Sequence, residues 1–248
     1  MSIHDLHGKF NGKEFDYISK YLDSEGYSDE KSWAQRFEEE VSKQTGAKYA
    51  VACNSGTSGL HMAMYACGIG HGDEVITTAL TVVMDAYAVI HVGATPVFVD
   101  VERDTYGISV EEIKKKITNK TKAIITVSLQ GLSVDMDPIL ELAKENNIVV
   151  IDDSAQNILG EYKGRVAGTL ADISVLSFEN KKHMTSGSEG GMLLTDIEEY
   201  AIRARKFGGL GYKHMTASAG RTSLSLSDVQ DPDYERFDTI GLNYRMSE

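Results

Sequence analysis

The chain is predicted to be an α/β protein of three layers, α/β/α, with helices on both faces of a mainly parallel sheet. Three observations predict this. Apolar runs of strand length recur along the 248 residues. They are near-continuous rather than alternating, as strands buried on both faces are. Amphipathic helical stretches separate them, with no internal repeat and no low-complexity linker.

The elements follow in order. Residues 1–30 read as an N-terminal helical segment. Trp33, Phe37 and Val41 recur at i, i+4 and i+8, which predicts a helix over 30–45 ended by Gly46. Residues 49–53 are a strand, and a helix over 57–66 is closed by Gly68. Residues 74–78 are a strand, followed by a helix to Val92 and a strand over 95–100. Ser109 and Glu112 stand in capping-box order and open a helix to Ile117. Residues 122–127 are a strand, 137–146 a helix and 147–152 a strand. Strands over 173–178 and 191–195 and a helix over 197–206 complete the set. From Gly208 the periodicity fades, so 208–236 reads as a long loop, which carries His214 and Arg221. The stretch 241–246 reads as a turn and a helix start.

Acidic residues outnumber basic ones 37 to 25, a net charge of −12. That disfavours nonspecific nucleic-acid binding, which needs a positive footprint. An anionic small molecule stays possible, because backbone N–H groups at a helix start bind phosphate without net positive charge. No apolar run approaches the roughly 20 residues that span a bilayer. The first residues carry no basic stretch leading into an apolar one, so a cytoplasmic location is expected. Cys53 and Cys67 lie in apolar contexts and read as buried reduced thiols. Further ligands at metal-site spacing are missing, so no metal is expected.

Four features fall at the carboxyl ends of strands, where α/β proteins build sites. Asn54-Ser55-Gly56-Thr57-Ser58-Gly59 is either a phosphate cradle at a helix N-terminus or an ordinary capped turn. Asp152-Asp153 ends a buried strand, where one carboxylate either faces a cationic heteroaromatic nitrogen or caps a helix. Lys181-Lys182-His183 follows Ser177-Phe178 and precedes Glu189-Gly190-Gly191. It is either a solvated basic run or the seat of an amine that forms a Schiff base with an aldehyde. Gly241-Leu242-Asn243-Tyr244-Arg245-Met246 says little alone. A phosphate cradle, a carboxylate and a lysine in this order are what pyridoxal 5'-phosphate needs.

In these motifs, with Gly72-Asp73-Glu74-Val75-Ile76 and Ser154-Ala155-Gln156, the sequence resembles the DegT/DnrJ/EryC1/StrS sugar aminotransferases among the fold-type I pyridoxal-phosphate enzymes. The resemblance runs from about Gly12 to Glu248. It implies a mainly parallel mixed sheet, the large domain of the aspartate aminotransferase-like fold. It also implies that Gly56, Thr57 and Ser177 hold the phosphate, and that Asp153 pairs with the pyridinium nitrogen. Gln156 sits by the ring hydroxyl, and Lys182 holds the aldehyde and shuttles the proton. Asn243 or Arg245 reaches the partner's cofactor across a homodimer interface. Val82 takes the place of an aromatic residue that stacks on the ring, and Ser128-Leu129-Gln130-Gly131 replaces a His-Leu-Tyr-Gly stretch. One extra residue separates Lys182 from the Glu-Gly-Gly motif. Counting forward from Ser177 selects Lys182, whereas counting back from Glu189 selects His183. The strand-end anchor favours Lys182, and Lys181 points the other way if the segment is extended.

The implied activity moves an amino group from glutamate to a nucleotide-linked keto-deoxy sugar. A 3-dehydratase with histidine in place of the lysine and a non-catalytic regulator are the alternatives. Family chains continue past the Gly-x-Asn-Tyr-Arg motif into a smaller C-terminal domain. Residues 1–248 are therefore expected to be the large cofactor-binding domain, weak in cofactor binding and turnover by itself.

Overall fold

The computed structural model describes residues 12–23, 32–219 and 226–247. In chain order its elements begin with α1 (Glu14–Asp23), α2 (Trp33–Thr45), β1 (Tyr49–Cys53), α3 (Gly56–Ala66), β2 (Glu74–Thr78), α4 (Met84–His91) and β3 (Thr95–Val99). There follow α5 (Val110–Lys116), β4 (Thr121–Val127), α6 (Met136–Asn146), β5 (Val149–Asp153), β6 (Glu161–Tyr162) and β7 (Arg165–Val166). The described chain closes with β8 (Ile173–Ser177), β9 (Gly191–Thr195), α7 (Glu198–Gly208) and α8 (Leu226–Gln230).

Among the described residues, seven strands form one sheet in the order β1-β9-β8-β5-β4-β2-β3. From β8 to β3 every neighbouring pair is parallel, while β9 lies antiparallel between β8 and β1. The sheet is thus mainly parallel and mixed, as expected. β6 and β7 form a separate ribbon.

Strand alternation sorts side chains onto two faces. Val75, Ile125, Ile151, Val175 and Leu193 pack against Leu60 and Met64 of α3, Val89 of α4 and Ala204 of α7. Ile76, Ile124 and Val150 pack the other way, onto Ile113 of α5 and Ile139 of α6. Beside this second layer, Met192 and Leu194 meet Val41 of α2. Phe178, just beyond β8, packs its ring edge-on against Phe37 at 5.0 Å. No helix among the described residues is long and apolar enough to cross a membrane. Both cysteines are free; Cys53 is buried and Cys67 half-buried. Burial pushes the Cys53 thiol up to about 12.

Several expectations need correction. The Ser109 capping box does not form, because both partners are engaged elsewhere. The Ser109 N–H donates to the Asp100 carbonyl, and the Glu112 carboxylate takes the Lys115 ammonium. Reciprocal caps close instead at Ser32–Gln35 and Ser55–Ser58. The strand expected over 147–152 starts at Val149, since Asn147 adopts the left-handed conformation (φ 55°) that ends α6. The predicted 208–236 loop contains α8, and Arg221 lies outside the described residues. Of the predicted N-terminal segment, α1 is helical; 1–11 and 24–31 lie outside the described residues. Residues 241–246 start no helix. They run extended, with the Leu242 and Tyr244 N–H groups on the Phe207 and Gly208 carbonyls and the Tyr244 carbonyl accepting from Asn54.

Candidate active site

β1 runs in the same sense as β8, so the turn into α3 emerges at the sheet edge where β5, β8 and β2 also end. The register sets Cys53 and Ser177 on either side of Gly191. A Cβ on Gly191 would lie 2.4 Å from the Ser55 carbonyl oxygen, so only glycine lets α3 start this close to the sheet. A Cβ on Gly56 would lie 3.0 Å from the Ser177 Cβ and 3.3 Å from its Oγ. The Ser177 hydroxyl therefore sits against the first turn of α3. There the Gly56 and Thr57 N–H groups have no intrahelical acceptor, while Ser55 Oγ caps the Ser58 N–H at 3.1 Å. A hydroxyl, free N–H groups and the positive end of a helix converge on one anion-sized place.

Asp152 and Asp153 are adjacent but point to opposite faces. Asp152 is taken up by the fold: it accepts from Thr126 Oγ1 at 2.8 Å and from Ser154 Oγ. Asp153 continues the face of Ile151, as Ser177 continues that of Val175. Both therefore lie on the α3/α4 side. The Asp153 carboxylate accepts from the Ala155 N–H at 2.9 Å. Burial raises its pKa to about 6 and the Asp152 charge adds to this, while the Ala155 N–H and the Lys182 charge pull it down.

Lys182 lies in a turn, not an extended segment, so the alternation expected of Lys181 does not apply. The Lys182 N–H donates to the Glu179 carbonyl at 2.9 Å, and the loop is pinned where the Phe178 N–H meets the Gly190 carbonyl at 2.8 Å. Lys182 is half-buried, whereas Lys181 and His183 on either side are exposed. The stretch 183–189 that leads from Lys182 to Gly190 is exposed apart from the half-buried Thr185.

Gln156 lies in the turn after β5, its Oε1 accepting from the Gln130 N–H at 2.8 Å, which leaves its Nε2 as the end able to donate to a ligand. Val82 sits in the loop between β2 and α4 and is 48 % exposed. Asn243 and Arg245 are exposed and bonded to each other, Arg245 Nε to Asn243 Oδ1 at 3.0 Å. They line a cavity with Glu38 and Arg205 rather than joining Asp153 and Ser177.

Sequence reasoning missed Asp85 and Thr81. Asp85 is wholly buried on α4 and accepts from Thr81 Oγ1 at 2.6 Å. Burial, then the facing Asp153 charge, raise its pKa to about 8. The available signal was a carboxylate inside the otherwise apolar run Met84-Asp85-Ala86-Tyr87-Ala88-Val89.

The model of the DegT/DnrJ/EryC1/StrS aminotransferase family matches residues 9–248. A GDP-perosamine synthase of Escherichia coli is 44 % identical over 200 residues, covering 81 % of this chain and 55 % of the relative. The GDP-perosamine synthase of Caulobacter vibrioides is 37 % identical over 240 residues, 96 % of this chain and 60 % of the relative. An aminotransferase structure from Psychrobacter cryohalolentis superposes with a TM-score of 0.83 at 36 % identity, covering 96 % of this chain and 58 % of that one. NtdA from Bacillus subtilis, solved with bound cofactor PMP, gives 0.80 at 27 %, covering 97 % and 52 %. The chain thus spans between half and two thirds of the length of these relatives. With the family model matched over nearly its whole length and the fold shared, the chain belongs to the DegT/DnrJ/EryC1/StrS aminotransferase family.

Proposed function

We propose that this chain is the cofactor-binding part of a pyridoxal-phosphate-dependent aminotransferase. It would act in the cytoplasm as a homodimer, moving an amino group from glutamate to a nucleotide-linked keto-deoxy sugar. One observation carries the reading. Asp153, Ser177, the α3 N-terminus and Lys182 gather at one edge and one side of the sheet. The relatives named GDP-perosamine synthase support the substrate class.

The residues fit the cofactor. Its phosphate suits the seam between Gly56, Thr57 and Ser177, where a Cβ on Gly56 would intrude. A buried carboxyl with one backbone donor, Asp153, suits a protonated ring nitrogen. With its Oε1 taken by the Gln130 N–H, Gln156 would donate from Nε2 to the ring hydroxyl. The bound group would supply an aldehyde for the amine and a ring that withdraws electrons. The chain's own work is then to hold that ring and to move a proton on Lys182 Nζ. Val82 offers an aliphatic surface to the ring face rather than an aromatic one. Asn243 serves the cofactor of the partner chain.

The test is borohydride reduction of the protein incubated with pyridoxal phosphate, followed by peptide mass mapping. A stable adduct on Lys182 that is absent in Lys182→Ala is expected, with 2-oxoglutarate released when glutamate is supplied. An adduct on another lysine would overturn the assignment.

A second reading, a non-catalytic regulator, is favoured by the exposed Val82 and by a 38 % identical relative named pleiotropic regulatory protein. It predicts cofactor binding without any spectral change on adding amino donors.

A further inference from the structure

Asp85 is a carboxyl that the site reading above does not use. It lies on α4, facing the sheet side that carries Asp153 and Ser177, and no part of it reaches solvent. Oδ2 accepts from Thr81 Oγ1. Oδ1 is buried without any N–H or O–H donor. The group opposite is the Asp153 carboxyl, in side-chain hydrogen-bond contact with it. Two buried carboxylates in contact cannot both be ionised; one proton between them turns repulsion into a strong charge-assisted hydrogen bond.

We propose that Asp85 keeps that proton and donates it to Asp153, which makes Asp85 a positioning residue for the carboxylate that meets the ring nitrogen.

The placement of the proton follows from the surroundings. Asp153 is compensated by the Ala155 N–H and the Lys182 charge; Asp85 has only the Thr81 hydroxyl. Asp152 faces away, held by Thr126 and Ser154, and its charge disfavours ionisation of both members of the pair. The ionised form therefore falls to Asp153 and the acid form to Asp85. An O–H donor on Asp153 fixes its carboxylate plane and lowers its basicity, so a ring nitrogen opposite keeps its own proton. The consequence for the cofactor rests on the reading above; the proton on Asp85 does not.

The closing experiment starts on the protein without cofactor. Infrared difference spectra of the ¹³C-aspartate-labelled protein at neutral pH are expected to show a protonated-carboxyl band with a component that Asp85→Asn removes. Among the described residues Asp152 is the buried aspartate outside the pair, so a band unchanged by Asp85→Asn overturns the proposal. Asparagine can still donate to Asp153 and accept from Thr81. Pyridoxal-phosphate affinity should therefore stay within about threefold in Asp85→Asn and fall about tenfold or more in Asp85→Leu, the size expected for a hydrogen bond to a charged group. Equal affinity in both variants overturns the positioning role. A native protein that shows the band but binds no pyridoxal phosphate would sink the cofactor reading and leave the pair standing.

Discussion

Glu38 and Arg205 form a buried, bidentate pair, and removing one partner is a sharp test of what holds the sheet edge. Arg205 Nη1 and Nη2 donate to the two Glu38 oxygens at 2.8 and 3.0 Å. Nη2 also donates to the Ala50 and Ala217 carbonyls, each at 3.1 Å, and Glu38 accepts from the Ala52 N–H at 2.8 Å. The pair therefore ties α2, β1, α7 and the 217 loop together. Glu38→Ala strands a guanidinium that is 6 % exposed and leaves the Ala52 N–H unpaired. Breaking a buried pair this way costs about 3–5 kcal/mol. For a chain of this size each kcal/mol lowers Tm by roughly 2–4 °C. The expected fall is therefore about 6–20 °C by calorimetry. Replacing both by apolar residues, Glu38→Leu with Arg205→Met, removes the stranded charge and should recover more than half of that loss. The reasoning fails if the double variant is as unstable as the sum of the two single ones, because a double-mutant cycle would then show no coupling.

Other outcomes follow from the same structure. Gly191→Ala puts a Cβ on the Ser55 carbonyl, so stability should fall by about 1–3 kcal/mol in denaturant titration, with a larger proportional loss of phosphate affinity by calorimetric titration. Ser32→Ala removes a cap that is made and should cost about 1 kcal/mol, whereas Ser109→Ala, at a cap that is not made, should cost less than half of that in the same titration. His61, buried against Phe207 and bonded to Tyr244 Oη at 3.0 Å, has its pKa lowered to about 4, by burial first and then by His91. Its neutral form is the folded one, so the unfolded chain binds the extra proton between pH 6.5 and 4. Stability should fall as pH drops through that window, and His61→Phe should flatten the slope in urea titrations at stepped pH.

The sheet strands were legible because burial on both faces leaves long apolar runs, and the helices between them because one face alone repeats. What escaped depends on partners far along the chain. Glu38 sits in Glu38-Glu39-Glu40, which reads as a solvated face; only Arg205, 167 residues away, makes its burial tolerable. Residues 241–246 run extended because α7 offers its last carbonyls, which no local pattern announces. The β6–β7 ribbon is too short for periodicity, and its Lys163-Gly164 turn, both residues at positive φ, was its one signal. In the site, the glycine motifs and the strand-end acids were readable as residue types. Asp85 left a weaker signal, a carboxylate inside an apolar helical run, and one acid in a helix is ordinary until its direction is known.

The two neighbouring aspartates show how strand alternation separates a carboxylate used by the fold from one that faces the candidate site. Asp152 and Asp153 share sequence context, strand and burial, yet a half-turn of the strand sends one toward Thr126 and Ser154 and the other toward α3 and α4. On the first side two hydroxyls meet the carboxylate, which leaves it little to offer a ligand. On the second side the carboxylate has one backbone N–H, a lysine and a second acid. Asp153 thus stays buried on the side of the candidate site, its charge only partly compensated by the Ala155 N–H and the Lys182 charge, which is the setting the proposed ring nitrogen would need. The same period-2 rule carries Ser177 to that side. A one-residue shift in the register of β5 would exchange the two aspartates and remove the site while leaving the composition of the sheet unchanged.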